Sequence, residues 1–262
     1  MYAKDYPYCS SGFAAMAHRG GGLWEPNLGK ENTLHAFSQA VSLGYRYLET
    51  DVQATKDGRL VCMHDTSLER VANVPGAVAD FTAEELAQIK VDVTEPVPFF
   101  DDIVDALPGI RFNVDIKTDD AVRPLADAIE AHQLHDRILV DSFSQGRISQ
   151  FRTLTGGRVP TAMAPAGAAW TALVPVLSAV VSSPAVALQV PVTQTIGRVA
   201  VRVLTEQTIA RVHSLGKVVH AWTINEPDEM ERLIDWGIDG IITDRPDLLK
   251  DILVRRDLWE SE

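Results

Sequence analysis

The sequence predicts an α/β protein of the (β/α)8 TIM-barrel class, and three observations predict it. Eight short apolar runs alternate with helix-like runs along the whole chain, the pattern of parallel strands joined by crossover helices. The length of 262 residues matches the roughly 250 that one such barrel commonly fills. No G-x-G-x-x-G follows the first strand, and a doubly wound open sheet, the alternative, usually has fewer strands. Residues 1–262 therefore read as a single domain.

In order, the strand at 13–18 is an apolar run ending in His18-Arg19 and three glycines, Gly20 to Gly22. The helix at 34–43 follows Asn32, a good N-cap. The strand at 45–52 leads into Thr55-Lys56-Asp57-Gly58-Arg59, then Leu60-Val61-Cys62-Met63-His64. Asp-Gly between apolar runs predicts a β-hairpin, because the tight turn needs positive φ. With a two-residue turn, Lys56 faces Arg59 and Asp51 faces His64; a three-residue loop shifts this by one position. The hairpin then extends beyond the barrel and returns His64 to the neighbourhood of Glu49 and Asp51. Thr82 and Glu85 form a capping-box pattern ahead of Leu86 and Ile89. Strands at 111–117, 138–142, 159–163 and 186–190 alternate with helices at 121–132, 145–154 and 168–181. The strand at 218–224 lies between helices at 206–215 and 227–236, which Gly216 and Gly237 stop. Asn225 reads as the N-cap of the second. The strand at 240–243 precedes Asp244, another N-cap, and a helix at 246–253.

Lys and Arg number 24 and Asp and Glu 36, a net charge of −12. That excludes non-specific nucleic-acid binding, which needs a basic face. It allows an anionic substrate, since a local cation or metal ion reverses the field inside one cleft. Cys9 and Cys62 make no disulfide framework and fit a reducing compartment. The first twelve residues carry Lys4 and Asp5 and no apolar core, unlike a signal peptide, so a cytoplasmic location is expected. Residues 159–197 contain no charge, which raises the question of a membrane span. Pro160, Pro165, Pro175, Pro184 and Pro191 leave no continuous apolar helix. Buried strands and a helix are expected there; an apolar lip in weak contact with lipid or a partner subunit is the alternative.

Glu49 and Asp51 are two apart on a strand and share a face, where they repel unless a proton or cation lies between them. At 111–117, Phe112, Val114 and Ile116 face the covering helices while Asn113, Asp115 and Lys117 face the barrel interior. Barrel interiors are normally filled by branched apolar side chains, and polar groups near a strand's C-terminal end sit where barrel enzymes place their chemistry. Glu49, Asp51 and Asp115 make an all-oxygen set suited to Ca²⁺ or Mg²⁺ rather than zinc. The alternative is a buried salt-bridge network through Arg19 and Lys117. After His18, the glycines let backbone approach a ligand closely, and the Arg19 fork suits a phosphate. His18 and His64 reach the same mouth from different elements, as acid and base at a phosphodiester would.

Assembled, these motifs resemble the glycerophosphodiester phosphodiesterase family. The matching pieces are His18-Arg19-Gly20, Glu31-Asn32-Thr33, Glu49-Thr50-Asp51-Val52, Thr55-Lys56-Asp57-Gly58 and His64-Asp65, then Asp115-Ile116-Lys117, Trp222-Thr223-Ile224-Asn225 and Asp239-Gly240-Ile241-Ile242-Thr243-Asp244. The resemblance spans residues 13 to about 250. It implies a TIM barrel that hydrolyses glycerophosphodiesters to an alcohol and sn-glycerol 3-phosphate with one divalent cation, Mg²⁺ or Ca²⁺. By that pattern Glu49, Asp51 and Asp115 bind the metal, His18 and His64 are the acid–base pair, Arg19 and Lys117 hold the phosphate, and Trp222 lines the glycerol side. We assign His18 as base and His64 as acid, an order the sequence does not fix. Three departures stand out. Lys30 replaces the Pro often found before Glu-Asn-Thr. Asp115 replaces a Glu and is one methylene shorter. The segment 66–108 is too short for a large cap domain. Lysophospholipase D activity, a silent binding module and a phosphoinositide-type phospholipase C are the competing readings. The silent module requires loss of a key residue, and His18, Arg19, Glu49, Asp51, His64 and Lys117 are all present.

Several residues carry weaker signals. Cys62 reads as a small apolar filler, and His220 as either a pocket residue or a satisfied barrel histidine. Glu31 and Asn32 either orient the metal acids or start the helix. His35, His132, His135 and His213 read as surface, and Trp236 and Trp259 as packing.

Overall fold

The computed structural model describes residues 2–10, 12–164, 183–196 and 199–259. In chain order the strands are β1 (Ala14–His18), β2 (Tyr47–Ala54), β3 (Leu60–Cys62), β4 (Lys90–Val91), β5 (Glu95–Pro96), β6 (Arg111–Ile116), β7 (Ile138–Asp141), β8 (Ala187–Val190), β9 (Thr193–Ile196), β10 (Val199–Arg202), β11 (Val218–Ala221) and β12 (Gly240–Thr243). The α-helices are α1 (Leu34–Ser42), α2 (Glu69–Ala72), α3 (Ala83–Leu86), α4 (Phe100–Ala106), α5 (Val122–Ala131), α6 (Gln145–Thr155), α7 (Glu206–Ser214), α8 (Pro227–Asp235) and α9 (Pro246–Arg255).

Seven strands pair in parallel in the order β7-β6-β2-β1-β12-β11-β8, a curled, TIM-barrel-like sheet. The strand expected at 159–163 is reduced to single parallel bridges, Thr161 with Val140 and Ala162 with Ala187. Pro160 has no N–H to give a ladder, and its carbonyl accepts from Val140 N–H instead (3.0 Å). On the other side, Met163 N–H donates to Ala187 O and Val186 N–H to Thr161 O, both at 2.9 Å. The helix expected at 168–181, and with it much of the charge-free stretch, lies outside the described residues. β9 and β10 form an antiparallel ladder that the run of uncharged residues did not reveal. Among the described residues no helix is long and apolar enough to cross a membrane.

Two apolar layers hold the sheet. Outward-facing Leu48, Phe112, Val114 and Ile116 pack with helix residues Phe37, Leu125, Ile148 and Phe151 in the main core, which also takes in Cys62, Trp236 and Trp259. Inward-facing Met16, Tyr47, Leu139, Ala187 and Ile242 fill the interior below the strand ends, so the barrel is a packed core rather than a pore.

The segment between β2 and β6 builds a third cluster from Val61, Met63, Leu68, Val78, Leu86, Val91, Val97 and Phe99. Its first strand, β3, pairs antiparallel with β2, Val52 opposite Cys62. Thr55 N–H donates to Arg59 O (2.9 Å), so the loop has three residues and the register is one position off that of a two-residue turn. Met63, not His64, therefore lies beside Asp51: its N–H donates to Asp51 O at 2.9 Å. The Thr82–Glu85 capping box is formed.

Candidate active site

Parallel strands finish on one rim, so their C-terminal residues converge. Register places His18 beside Glu49, Asp51 beside Asp115 and Asp115 beside Asp141. They wall a cavity of about 130 Å³ that all eight residues singled out from the sequence line: His18, Arg19, Glu49, Asp51, His64, Asp115, Lys117 and Trp222. Asn113, Asp141, Phe143 and Gln189 join them.

The turn after β1 is left-handed at Arg19 (φ 51°), Gly20 (87°) and Gly21 (96°). A Cβ on Gly20 would come within 2.7 Å of Ala36 Cβ, and one on Gly21 within 2.6 Å of Pro246 Cγ. Gly20 and Gly21 are thus required by packing against α1 and α9. Thr33 rather than Asn32 caps α1, accepting from Ala36 N–H. Asn32 is buried, accepts from Thr50 Oγ1 (2.8 Å) and donates through Nδ2 to Asp51 Oδ2 (3.2 Å), so it orients a site carboxylate.

The salt-bridge network offered as the alternative is present. Lys117 Nζ lies 2.8 Å from Asp51 Oδ1 and 2.6 Å from Asp115 Oδ2. Arg19 Nε is 3.1 Å from Asp51 Oδ2, at an angle that misses hydrogen-bond geometry. These pairs do not balance the cavity: Glu49, Asp51, Asp115 and Asp141 face two fixed cations. Burial raises Asp51, but Lys117 and Arg19 outweigh it and hold the carboxyl below its usual range. Burial, then Asp51, pushes Glu49 up to about 7. Burial, then Asp115, pushes Asp141 up to about 8. Asp115 is also raised by burial, and its buried Oδ1 has no hydrogen-bond partner.

Surplus buried negative charge is relieved by protons or by a cation. The donors are all oxygen, and the orphaned Oδ1 belongs to a carboxylate of the cavity wall, so the residues fit a hard divalent ion. Among the described residues no three His, Cys, Asp or Glu side chains are already drawn together around one point; Lys117 Nζ stands between Asp51 and Asp115. A carboxyl whose folded pKa is raised stabilises the fold fully below its unfolded pKa, and that contribution is lost as pH rises through the folded value. With Glu49 at about 7 and Asp141 at about 8, the melting temperature of metal-free protein should fall between about pH 4.5 and 8. Asp141→Asn should flatten the upper part of that slope in thermal melts, and an unchanged slope would contradict the assignment.

Both histidines hold a carboxylate through one ring nitrogen. His18 Nδ1 is 2.6 Å from Asp244 Oδ1, and its Nε2 is 3.8 Å from Glu49 Oε2. His64 Nδ1 is 2.6 Å from Asp65 Oδ1. Asp244 is held below its usual range, burial opposing but His18 and Asn225 prevailing, so it accepts and Nδ1 carries the proton. Burial lowers the His18 pKa, but Glu49 and Asp244 more than offset it and the net shift is upward. Asn225 and Asp244 are not the helix caps that the sequence suggested; Glu226 and Arg245 occupy those positions. Asn225 instead donates to Asp244 Oδ2 (3.0 Å) and accepts from Asp244 N–H (2.9 Å).

His220 is not in the wall. Burial holds it neutral, down to about 4, and its Nδ1 meets Gln189 Nε2 (3.0 Å), which also donates to Asn113 Oδ1 (2.8 Å). Trp222 meets Phe143 edge to face, ring centres 5.8 Å apart.

Residues 18–248 match the model of the Glycerophosphoryl diester phosphodiesterase family. A Mycobacterium tuberculosis protein named "Probable glycerophosphodiester phosphodiesterase 2" is 37% identical over 252 residues, 95% of this chain and 94% of that one. A human protein named as a lysophospholipase D is 25% identical over 272 residues, covering 91% and 85%. The fold is similar to that of an Oleispira antarctica phosphodiesterase solved with the product sn-glycerol-3-phosphate: TM-score 0.78, 20% identity, 94% of this chain and 99% of that one.

Proposed function

Because this chain belongs to the glycerophosphoryl diester phosphodiesterase family, we propose that its cavity hydrolyses glycerophosphodiesters to an alcohol and sn-glycerol 3-phosphate by histidine acid–base catalysis with one divalent cation. The observation that carries this reading is the pair of carboxylate-bound histidines, His18 and His64, on one cavity with Arg19, Lys117 and an excess of carboxylates. It uses a complete (β/α)8 barrel, with the Thr161–Ala162 bridges as its reduced fifth strand and the β2–β3 hairpin as its extension.

Glu49, Asp51 and Asp115 would hold Mg²⁺ or Ca²⁺, which when bound supplies charge stabilisation at the phosphoryl oxygens. Arg19 and Lys117, whose present partners are carboxylates, bind the substrate's phosphate and oppose the charge that grows on it. Asp244 and Asp65 each accept a hydrogen bond from an Nδ1–H, leaving Nε2 of the two histidines for proton transfer. His18 Nε2 removes the proton of the attacking oxygen, and His64 Nε2 protonates the leaving alkoxide. Trp222 packs on the glycerol carbons. The acidic composition and the unpaired cysteines fit a cytoplasmic site of action.

The test is release of sn-glycerol 3-phosphate from glycerophosphocholine and glycerophosphoethanolamine after EDTA, then with Mg²⁺ or Ca²⁺ restored separately. Activity lost to EDTA and recovered with one ion is expected; full activity in EDTA would remove the metal from the scheme. Lysophospholipase D activity is the second reading. A neighbouring cavity of about 50 Å³ with Phe143, Met163, Val190, Pro191 and Trp222 in its wall offers apolar surface beside the phosphate site. Choline release from lysophosphatidylcholine as fast as from glycerophosphocholine would favour it.

A further inference from the structure

We propose that Arg70 is a positioning residue that ties His64 and Arg19 into one rigid unit across the mouth of the site. The inference rests on the phosphodiesterase reading of the cavity.

Arg70 lies on α2, in the segment with its own apolar cluster. Its neighbours Val71 and Ala72 pack against that cluster, and Asp92 N–H donates to Val71 O at 3.0 Å. The backbone beneath Arg70 is therefore anchored to the segment that carries His64, not to the barrel. The guanidinium reaches in two directions. Nε donates to Asp65 Oδ2 at 2.5 Å, while Nη1 and Nη2 donate to Glu31 Oε2 and Oε1 at 2.8 and 2.7 Å. Each carboxylate then touches a residue of the cavity wall. Asp65 Oδ1 meets His64 Nδ1 at 2.6 Å, and Glu31 Oε1 accepts from Arg19 Nη1 at 3.2 Å.

One planar cation thus spans two carboxylates from two parts of the fold, Glu31 on the loop after β1 and Asp65 after β3. A single exposed ion pair contributes little, but bidentate and networked pairs are the exception. Hydrogen bonding from Arg70 in the first place, and from His64, draws the Asp65 carboxyl down to about 2. Asp65 therefore stays ionised and accepts the His64 Nδ1 proton, which fixes the imidazole tautomer. A lysine cannot do the same, because one ammonium has no fork to place on both partners.

The test uses the full chain carrying Arg70→Ala or Arg70→Lys, with thermal melts to confirm folding. In long-range ¹H–¹⁵N spectra, Arg70→Ala should shift or broaden the imidazole signals of His64, which Arg70 does not touch, and leave those of His220 in place. Superimposable His64 signals would overturn the proposal. The second readout is a cycle of Glu31→Gln and Asp65→Asn on glycerophosphocholine hydrolysis. Each should lower kcat by about tenfold, and the double variant should also stand about tenfold rather than about a hundredfold below wild type, because both cut one bridge. Arg70→Lys should recover only part of the Arg70→Ala loss. Losses that multiply in the double variant, or Arg70→Ala turning over within twofold of wild type, would overturn the bridge. A wild-type protein without hydrolysis would overturn the phosphodiesterase reading, and the His64 spectra would still decide the role of Arg70.

Discussion

His18→Ala is expected to lower kcat by roughly 100- to 10,000-fold, the range typical for loss of a positioned acid or base. The ring has Nδ1 on Asp244 and Nε2 towards Glu49, which leaves Nε2 for the proposed proton transfer. Removing it should leave the fold intact. Asp244 keeps Asn225 as a partner through both Oδ2 and its own N–H, so no buried carboxylate is stranded. KM should move less than kcat, because Arg19 and Lys117, the cations proposed to bind the phosphate, remain in place. Asp244→Asn should give a smaller loss of kcat with KM unchanged, since the asparagine can hold the ring while offering the wrong hydrogen-bond donor. Steady-state kinetics beside a thermal melt separate these effects. Turnover near wild type in His18→Ala would remove His18 from the chemistry.

Lys117→Met should have the largest effect on stability. Lys117 is the ammonium between Asp51 and Asp115. Asp51 would retain Asn32 and Arg19. Asp115 would lose its Oδ2 partner while its Oδ1 already has none. Stranding a buried charge in this way costs about 3–5 kcal/mol. At roughly 2–4 °C per kcal/mol for a domain of this size, the melting temperature in EDTA should fall by about 10 °C. Two conditions should recover most of it. Mg²⁺ would replace the missing positive charge, and acid would neutralise Asp115, whose pKa burial already raises. A fall that neither Mg²⁺ nor acid reverses would mean that Lys117 acts by packing rather than by charge.

The limits of reading this site from sequence follow from which physical relation each residue depends on. Asn113, Asp115 and Lys117 were legible because alternation along one strand puts them on a face where apolar residues belong. Glu49, Asp51 and the return of His64 were legible from two-residue spacing and turn chemistry, and the three-residue loop, one of the two lengths expected, keeps His64 on the cavity. Asp141 was missed. Its strand reads as an apolar run with a polar end, and only lateral register, Asp115 against Asp141, makes it the fourth carboxylate. Asn225 and Asp244 precede helices and satisfy every local rule for a cap. Their real partners, each other and His18, become visible only when β1 is known to pair with β12. Pro160 gave warning of the shortened strand through its missing N–H, but the apolar residues around it outweighed that signal.

The same pairing sets an order of events during synthesis. β1 has β12 as a neighbour in the sheet, and His18 waits for Asp244, 226 residues later in the chain. A nascent chain that has exposed every earlier wall residue still carries an open edge on β1 and an unsupported imidazole until β12 and Asp244 have left the ribosome. Turnover is therefore expected only once β12 is in place: a chain stopped before β12 holds His18, Arg19, Glu49, Asp51, His64, Asp115 and Lys117, and it lacks the strand that joins β1 to β11.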